Sequence, residues 1–148
     1  MFKKIFISFV LVITLAFMGC GPDKTEVEYP QEYFNATVIS AVVDDGVTMT
    51  IESTGFKKFT VEVTVKEGLI TSYEVTEHQE TAAWGGVVIE DSGLIAAIIA
   101  GSANIDGIDL DDYVIIDAEA DVTSSTTGEA LIDVAKAAIK HFNDFYAE

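Results

Sequence analysis

Phe59 to Val65, FTVEVTV, alternates without a fault. Phe59, Val61, Val63 and Val65 fall on one face and Thr60, Glu62 and Thr64 on the other. That is the period of a strand with one side in a core and one in water. Glu67-Gly68 supplies a turn, and Leu69 to Thr76, LITSYEVT, predicts a strand that pairs back. Upstream, Ser53-Thr54-Gly55 breaks the pattern. Val47 to Glu52, VTMTIE, alternates again, and Asp44-Asp45-Gly46 ahead of it reads as a hairpin turn. Tyr33 to Val43, YFNATVISAVV, is rich in β-branched residues and predicts one more strand. Together these segments predict an antiparallel meander with a single wet face.

Downstream the period changes. Leu131, Val134, Ala135, Ala138, Ile139 and Phe142 form one stripe at helical spacing, predicting a helix from Gly128 to about Phe145. Lys136 and Lys140 lie toward its C-terminal end, where cations are favoured. Leu94 to Ala100, LIAAIIA, is apolar nearly all round and follows Asp91 and Ser92, two residues suited to capping, so a short buried helix is expected. Tyr113 to Ile116 reads as a short buried strand. The expected fold is α+β: an antiparallel sheet packed by a long C-terminal helix and a short buried helix.

The first residues read as an address. Lys3 and Lys4 precede an apolar run from Ile5 to Met18, ending at Gly19 and Cys20, the only cysteine of the 148 residues. A short basic region, an apolar stretch of this length and a small residue before the cut describe a secretory leader. Leu15-Ala16-Phe17-Met18-Gly19-Cys20 resembles a bacterial lipobox, with phenylalanine where leucine is usual; the resemblance implies a lipid on Cys20 and an extracytoplasmic, membrane-anchored protein. Gly21 to Pro30 is polar and carries both prolines, as a tether would. The expected division is a leader over 1–19, a lipidated tether over 20–31 and a domain over 32–148.

The full chain has eight basic residues against 25 acidic ones, a net charge of −17. Loss of Lys3 and Lys4 with the leader leaves six against 25, or −19. There is no arginine. Nucleic acid is excluded as a partner, because nothing neutralises its phosphates. With no cysteine left in the domain, disulfides, iron–sulfur clusters and thiol nucleophiles are excluded as well.

Two stretches hold the chemistry. His78, Glu80, Thr81 and Trp84 fall within a few residues of Gly85-Gly86. They are too sparse for a zinc shell and lack a nucleophile–base pair, which leaves a ligand-facing loop or a plain loop with Trp84 capping the core. Asp117 to Ala130, DAEADVTSSTTGEA, places hydroxyls from Thr123 to Thr127 ahead of the long helix. Helix starts expose unpaired N–H groups and the positive end of the dipole, a setting that suits phosphate. Thr126-Thr127-Gly128-Glu129 equally fits an ordinary capping box. Asp106, Asp109, Asp111 and Asp112 lack the ligand order of a calcium loop and read as a solvated acidic loop.

Gly55 to Thr81, GFKKFTVEVTVKEGLITSYEVTEHQET, resembles the opening half of the FMN-binding domain family. That domain is shared by flavin-bearing subunits of bacterial ion-pumping redox complexes and by surface flavoprotein lipoproteins. The likeness rests on Gly55-Phe56, the alternating strand, Gly68 with Ile70, and His78-x-Glu80-Thr81. In the C-terminal half, Asp117 stands six residues before Thr123, as in the family pattern D-x-x-[S/T]-G-A-T. The resemblance spans about Gly55 to Phe142. It implies FMN joined to Thr123 through a phosphodiester by a separate flavin transferase, with Asp117, Ser124, Ser125 and Thr126 about the phosphate. His78, Glu80, Thr81 and Trp84 would stand near the ring. A protein of this kind carries electrons from a membrane redox donor to an extracytoplasmic acceptor and has no substrate of its own. Ala120-Asp121-Val122 departs from the family's Ser-Gly-Ala, and Lys57-Lys58 from a second glycine. The alternative is a lipoprotein of the same fold that binds another ligand or a partner without flavin.

Overall fold

A computed structural model describes residues 26–114, 116–117, 122–123 and 125–148, with the backbone alone at 116, 117, 122 and 123. Among these residues, five strands form one antiparallel sheet in chain order. They are β1 (Gln31–Tyr33), β2 (Ala36–Asp44), β3 (Gly46–Thr54), β4 (Lys58–Lys66) and β5 (Leu69–His78). A bent helical segment follows, comprising α1 (Gly85–Glu90) and α2 (Leu94–Ala100). Two short 3-10 turns lead to β6 (Ile116–Asp117) and β7 (Val122–Thr123), which pair with one another, and the chain ends in α3 (Ser125–Phe145). The fold is α+β, with the 21-residue α3 packed across the sheet.

The alternation in β4 does what its period requires. Phe59, Val61, Val63 and Val65 are buried, and Met49, Ile51 and Val47 of β3 lie on the same side. α3 covers this face with Ala130, Leu131, Val134, Ala135, Ala137 and Ala138. The alanines let the helix approach the sheet closely. Tyr73 of β5 is buried whole, and its hydroxyl donates to the Leu131 carbonyl at 2.8 Å. At the β4–β5 turn, Glu67 and Gly68 both adopt positive φ, the geometry that suits a tight hairpin.

Several expectations need correction. The segment from Tyr33 to Val43 is two strands: Phe34 and Asn35 turn the chain, with Phe34 at a φ of 55°. Asn35 holds the turn by donating from Nδ2 to the Thr54 carbonyl at 3.0 Å. α1 was not anticipated; its six residues begin with two glycines and offer no period to read. α2 is only half buried. Leu94 and Ile98 face the core while Ala96 and Ala100 are exposed. Its capping residue is Gly93, though the Ser92 hydroxyl does accept from the Leu94 N–H at 3.1 Å. Tyr113 and Val114 precede the two-residue β6 as half-buried turn.

The helix α3 starts at Ser125, three residues early, so Thr126 is its second residue and no capping box begins there. Position 124 lies outside the described residues. Nor is the chain before Gln31 all loose. Tyr29 donates or accepts at 3.0 Å with Nε2 of His141, a fully buried residue of α3, and Tyr33 does so with Nδ1 at 3.0 Å. The Tyr29 and Tyr146 hydroxyls are 3.1 Å apart. A neutral imidazole has one donor and one acceptor nitrogen, so one tyrosine donates and the other accepts.

Burial holds the His141 pKa below its ordinary value, and the nearby Asp144 pulls the other way. An unfolded histidine takes up its proton near pH 6.5, roughly the model-peptide value. Below that pH the unfolded chain binds more protons than the folded one, so stability falls as pH drops through 6.5 toward the folded pKa. Urea midpoints measured from pH 7.5 down to 5.5 should therefore fall more steeply for the wild type than for His141→Phe. Parallel curves would remove His141 as the cause.

Candidate functional site

The two chemistry-bearing stretches meet at one end of the sheet. Glu80, two residues past β5, is 7% exposed. Its Oε1 accepts from the Lys57 N–H at 3.1 Å, which ties the β3–β4 turn to the loop after β5. Thr127, in the first turn of α3, is fully buried and its hydroxyl has no partner. Two glycines permit the approach. A Cβ on Gly55 would stand 2.6 Å from Glu80 Oε1 and 2.9 Å from Thr127 Oγ1; one on Gly85 would stand 2.5 Å from Glu80 Oε2 and 2.8 Å from Thr127 Oγ1. No carbon is tolerated at such distances. The carboxylate and the hydroxyl thus converge on the same two backbone positions.

The other expected residues sort themselves around this junction. His78 ends β5; its Nε2 pairs with Glu90 Oε1 at 3.1 Å, and its Nδ1 is buried without a partner. Thr81 is exposed, and its contribution is the carbonyl, which accepts from Trp84 N–H at 3.0 Å and Gly86 N–H at 2.9 Å. Trp84 is half buried at the residue before α1. Thr126 is exposed on α3, and Ser125 begins that helix half buried. Thr123 pairs with Ile116, and Asp117 with Val122, so the two family positions lie on adjacent strands one register step apart. Their side chains, together with Ser124 and Cys20, lie outside the described residues. Two surface clefts elsewhere, of about 300 and 550 Å³, are lined around Phe34 by Glu32 and Lys58 and by Lys136 and Asn143 respectively, and include none of these residues.

Sequence reasoning missed Thr127 and Gly85 as parts of the site. Thr127 is one of five adjacent hydroxyl positions, and the start of α3 at Ser125 is what turns it inward. Glycine 85 was legible as a breaker but not as a wall of the site. Among the described residues no group of three metal-ligating side chains comes together, Asp106, Asp109, Asp111 and Asp112 included.

The junction sets a buried carboxylate and an unpartnered hydroxyl beside the first turn of α3. A helix first turn offers N–H groups with no intrahelical acceptor and a favourable potential for an anion. Glu80 accepts from hydroxyl or N–H donors and repels a phosphate. Against known proteins, no family model, no curated protein and no solved structure matches this chain.

Proposed function

We propose that the protein is a lipid-anchored, extracytoplasmic electron carrier whose cofactor is FMN, esterified through its phosphate to Thr123. The observation that supports it is the meeting of the two motif halves. Glu80 of the His-x-Glu-Thr run and Thr127 of the hydroxyl-rich run are 47 positions apart, yet both close on Gly55 and Gly85. A buried hydroxyl with no partner is costly, on the order of 1–3 kcal/mol, and a ligand oxygen would satisfy it only if the walls at Gly55 and Gly85 moved apart, because Thr127 has no exposed surface.

The N–H groups of the first turn of α3 suit a phosphate, whereas the Glu80 carboxylate repels one and suits only the hydroxyl and N–H donors of such a group. The first turn of α3 would hold the phosphate, Thr127 would donate to it, and Glu80 would accept from a ribityl hydroxyl or ring N–H. When bound, FMN supplies one- or two-electron chemistry. The chain supplies position and field. Its charge near −19 opposes further negative charge on the cofactor, which lowers its potential, and added salt raises it again.

A second reading is a cofactor-free module of the same fold. Glu80 itself favours it, because a fixed carboxylate beside the first turn of α3 already supplies that dipole with an anion. Co-expression with a flavin transferase, followed by intact mass, separates the two. The carrier gains one FMN less a water, fluoresces in the gel, and loses both in Thr123→Ala. An unchanged mass favours the cofactor-free module.

A further inference from the structure

We infer that the end of the sheet bearing the Phe34 and Phe56 turns rests on a lipid surface, so that the candidate site lies at the membrane side of the domain. The inference rests on the lipid-anchor reading, not on the flavin. Register places both turns at one end: Ala36 pairs with Ser53, and Thr54 with Lys58. The Asn35 side chain bonds Thr54 across the gap, so the turns move as one. Phe34 is 64% and Phe56 55% exposed, the two exposed phenylalanines among the described residues. Phe34 is held in a left-handed backbone state, where hairpins of this length favour glycine. Its bulk therefore has no account in the turn itself.

Charge separates the two ends. Residues 34–35 and 54–58 carry Lys57 and Lys58, with Glu32 and Glu52 beside them and Lys58 bonded to Glu52 at 2.6 Å, so this end is close to neutral. The turns at the opposite end hold Asp44, Asp45 and Glu67 against Lys66. Val42, Val43 and Leu69 are also exposed, but they stand toward that acidic end. An anionic bilayer repels the carboxylates and attracts the lysines, so the net charge that resists adsorption still orients the tethered domain. Phenylalanine beside lysine is a combination that interfacial segments use where they meet headgroups.

The leash is short. Tyr29 is fastened to His141, leaving nine residues back to Cys20, a span of at most roughly 30 Å when fully extended. β1 enters at Gln31, opposite Val38, only two residues in from the Ala36 end of β2, about 7 Å. β2 is nine residues long, about 30 Å, so this leash lets either end of the sheet reach the lipid, and the exposed rings and the charge choose between them. Gly55, Lys57 and Glu80 lie at the aromatic end too, which makes the membrane face the approach to the site.

Because Cys20 is the only cysteine and is consumed by the lipid, single reporters can be added to the full chain. Phe34→Cys, Phe56→Cys and, at the far end, Asp45→Cys would each carry a nitroxide in vesicles of phosphatidylethanolamine and phosphatidylglycerol. Accessibility is then read to oxygen, which enters lipid, and to a nickel chelate, which stays in water. The expected oxygen-to-chelate ratio is several-fold higher at 34 and 56 than at 45. Equal ratios at all three, with the protein still in the vesicle fraction, overturn the orientation and leave the aromatic tip to a protein partner. Recovery of the full chain in the soluble fraction overturns the anchor, and the orientation with it.

Discussion

His141→Ala is expected to lower stability by about 3 kcal/mol, with the unfolding midpoint falling to match. Truncating a buried ring costs about 3–5 kcal/mol through lost transfer energy and the cavity left behind. Here the ring is fully buried and lies 4.9 Å from Phe145 and 5.6 Å from both Tyr29 and Tyr33, centre to centre. Two hydroxyls also lose a partner, but Tyr29 and Tyr33 are only half buried, so water replaces most of that loss and the lower end of the range applies. His141→Phe keeps the volume and drops the bonds, and should cost about 1 kcal/mol. The gap between the two variants reports packing; the remainder reports hydrogen bonding. A further observable follows from topology. Tyr29 and Tyr33 fasten the chain's N-terminal approach to the end of α3, so protease cleavage before Gln31 should accelerate in the alanine variant. A loss below about 1 kcal/mol with unchanged cleavage would show that the aromatic cluster forms no such fastening.

Strands β3, β4 and β5 were readable because each has one buried face, and a period of two survives even when the ends are uncertain. The long helix was readable for the same reason. What failed was local punctuation. Phe34 occupies a turn position that sequence rules reserve for glycine, so the β1–β2 hairpin was merged into one strand. The apolar stripe and the capping-box pattern at Thr126 put the start of α3 at Gly128, although Gly128 is buried inside the first turn against Leu110 and Val114. His141 carried no signal at all. It sits on the apolar face of α3 among alanines, and only the folded positions of Tyr29, Tyr33 and Tyr146, two of them more than a hundred residues upstream, give it a role. The site was half legible. Glu80 was named from its motif, but its approach to Thr127 depends on two glycines with no room for a side chain, and spacing does not encode such a wall.

That wall gives the most direct test of the site. Gly85→Val should destabilise the fold by about 2–3 kcal/mol and abolish whatever ligand the junction holds. The first added carbon would meet Glu80 Oε2 at 2.5 Å and Thr127 Oγ1 at 2.8 Å, and both atoms are buried with nowhere to retreat. Glu80 would have to swing away, releasing the Lys57 N–H and with it the β3–β4 turn. Stability loss alone would not distinguish a binding site from a tightly packed corner, so Glu80→Gln is the necessary companion. The amide keeps an acceptor for Lys57 and nearly the same volume, so it should cost under about 1 kcal/mol. It removes only the negative charge beside the first turn of α3. If the junction takes a phosphate-bearing group, Glu80→Gln should tighten binding or raise the yield of modified protein, because one repulsion is gone. Should the carboxylate instead be the anion that the α3 dipole requires, Glu80→Gln should lose stability by more than 1 kcal/mol and gain no ligand. Thermal and urea unfolding of the two variants, alongside intact mass after flavin transferase treatment, decides which role that carboxylate plays.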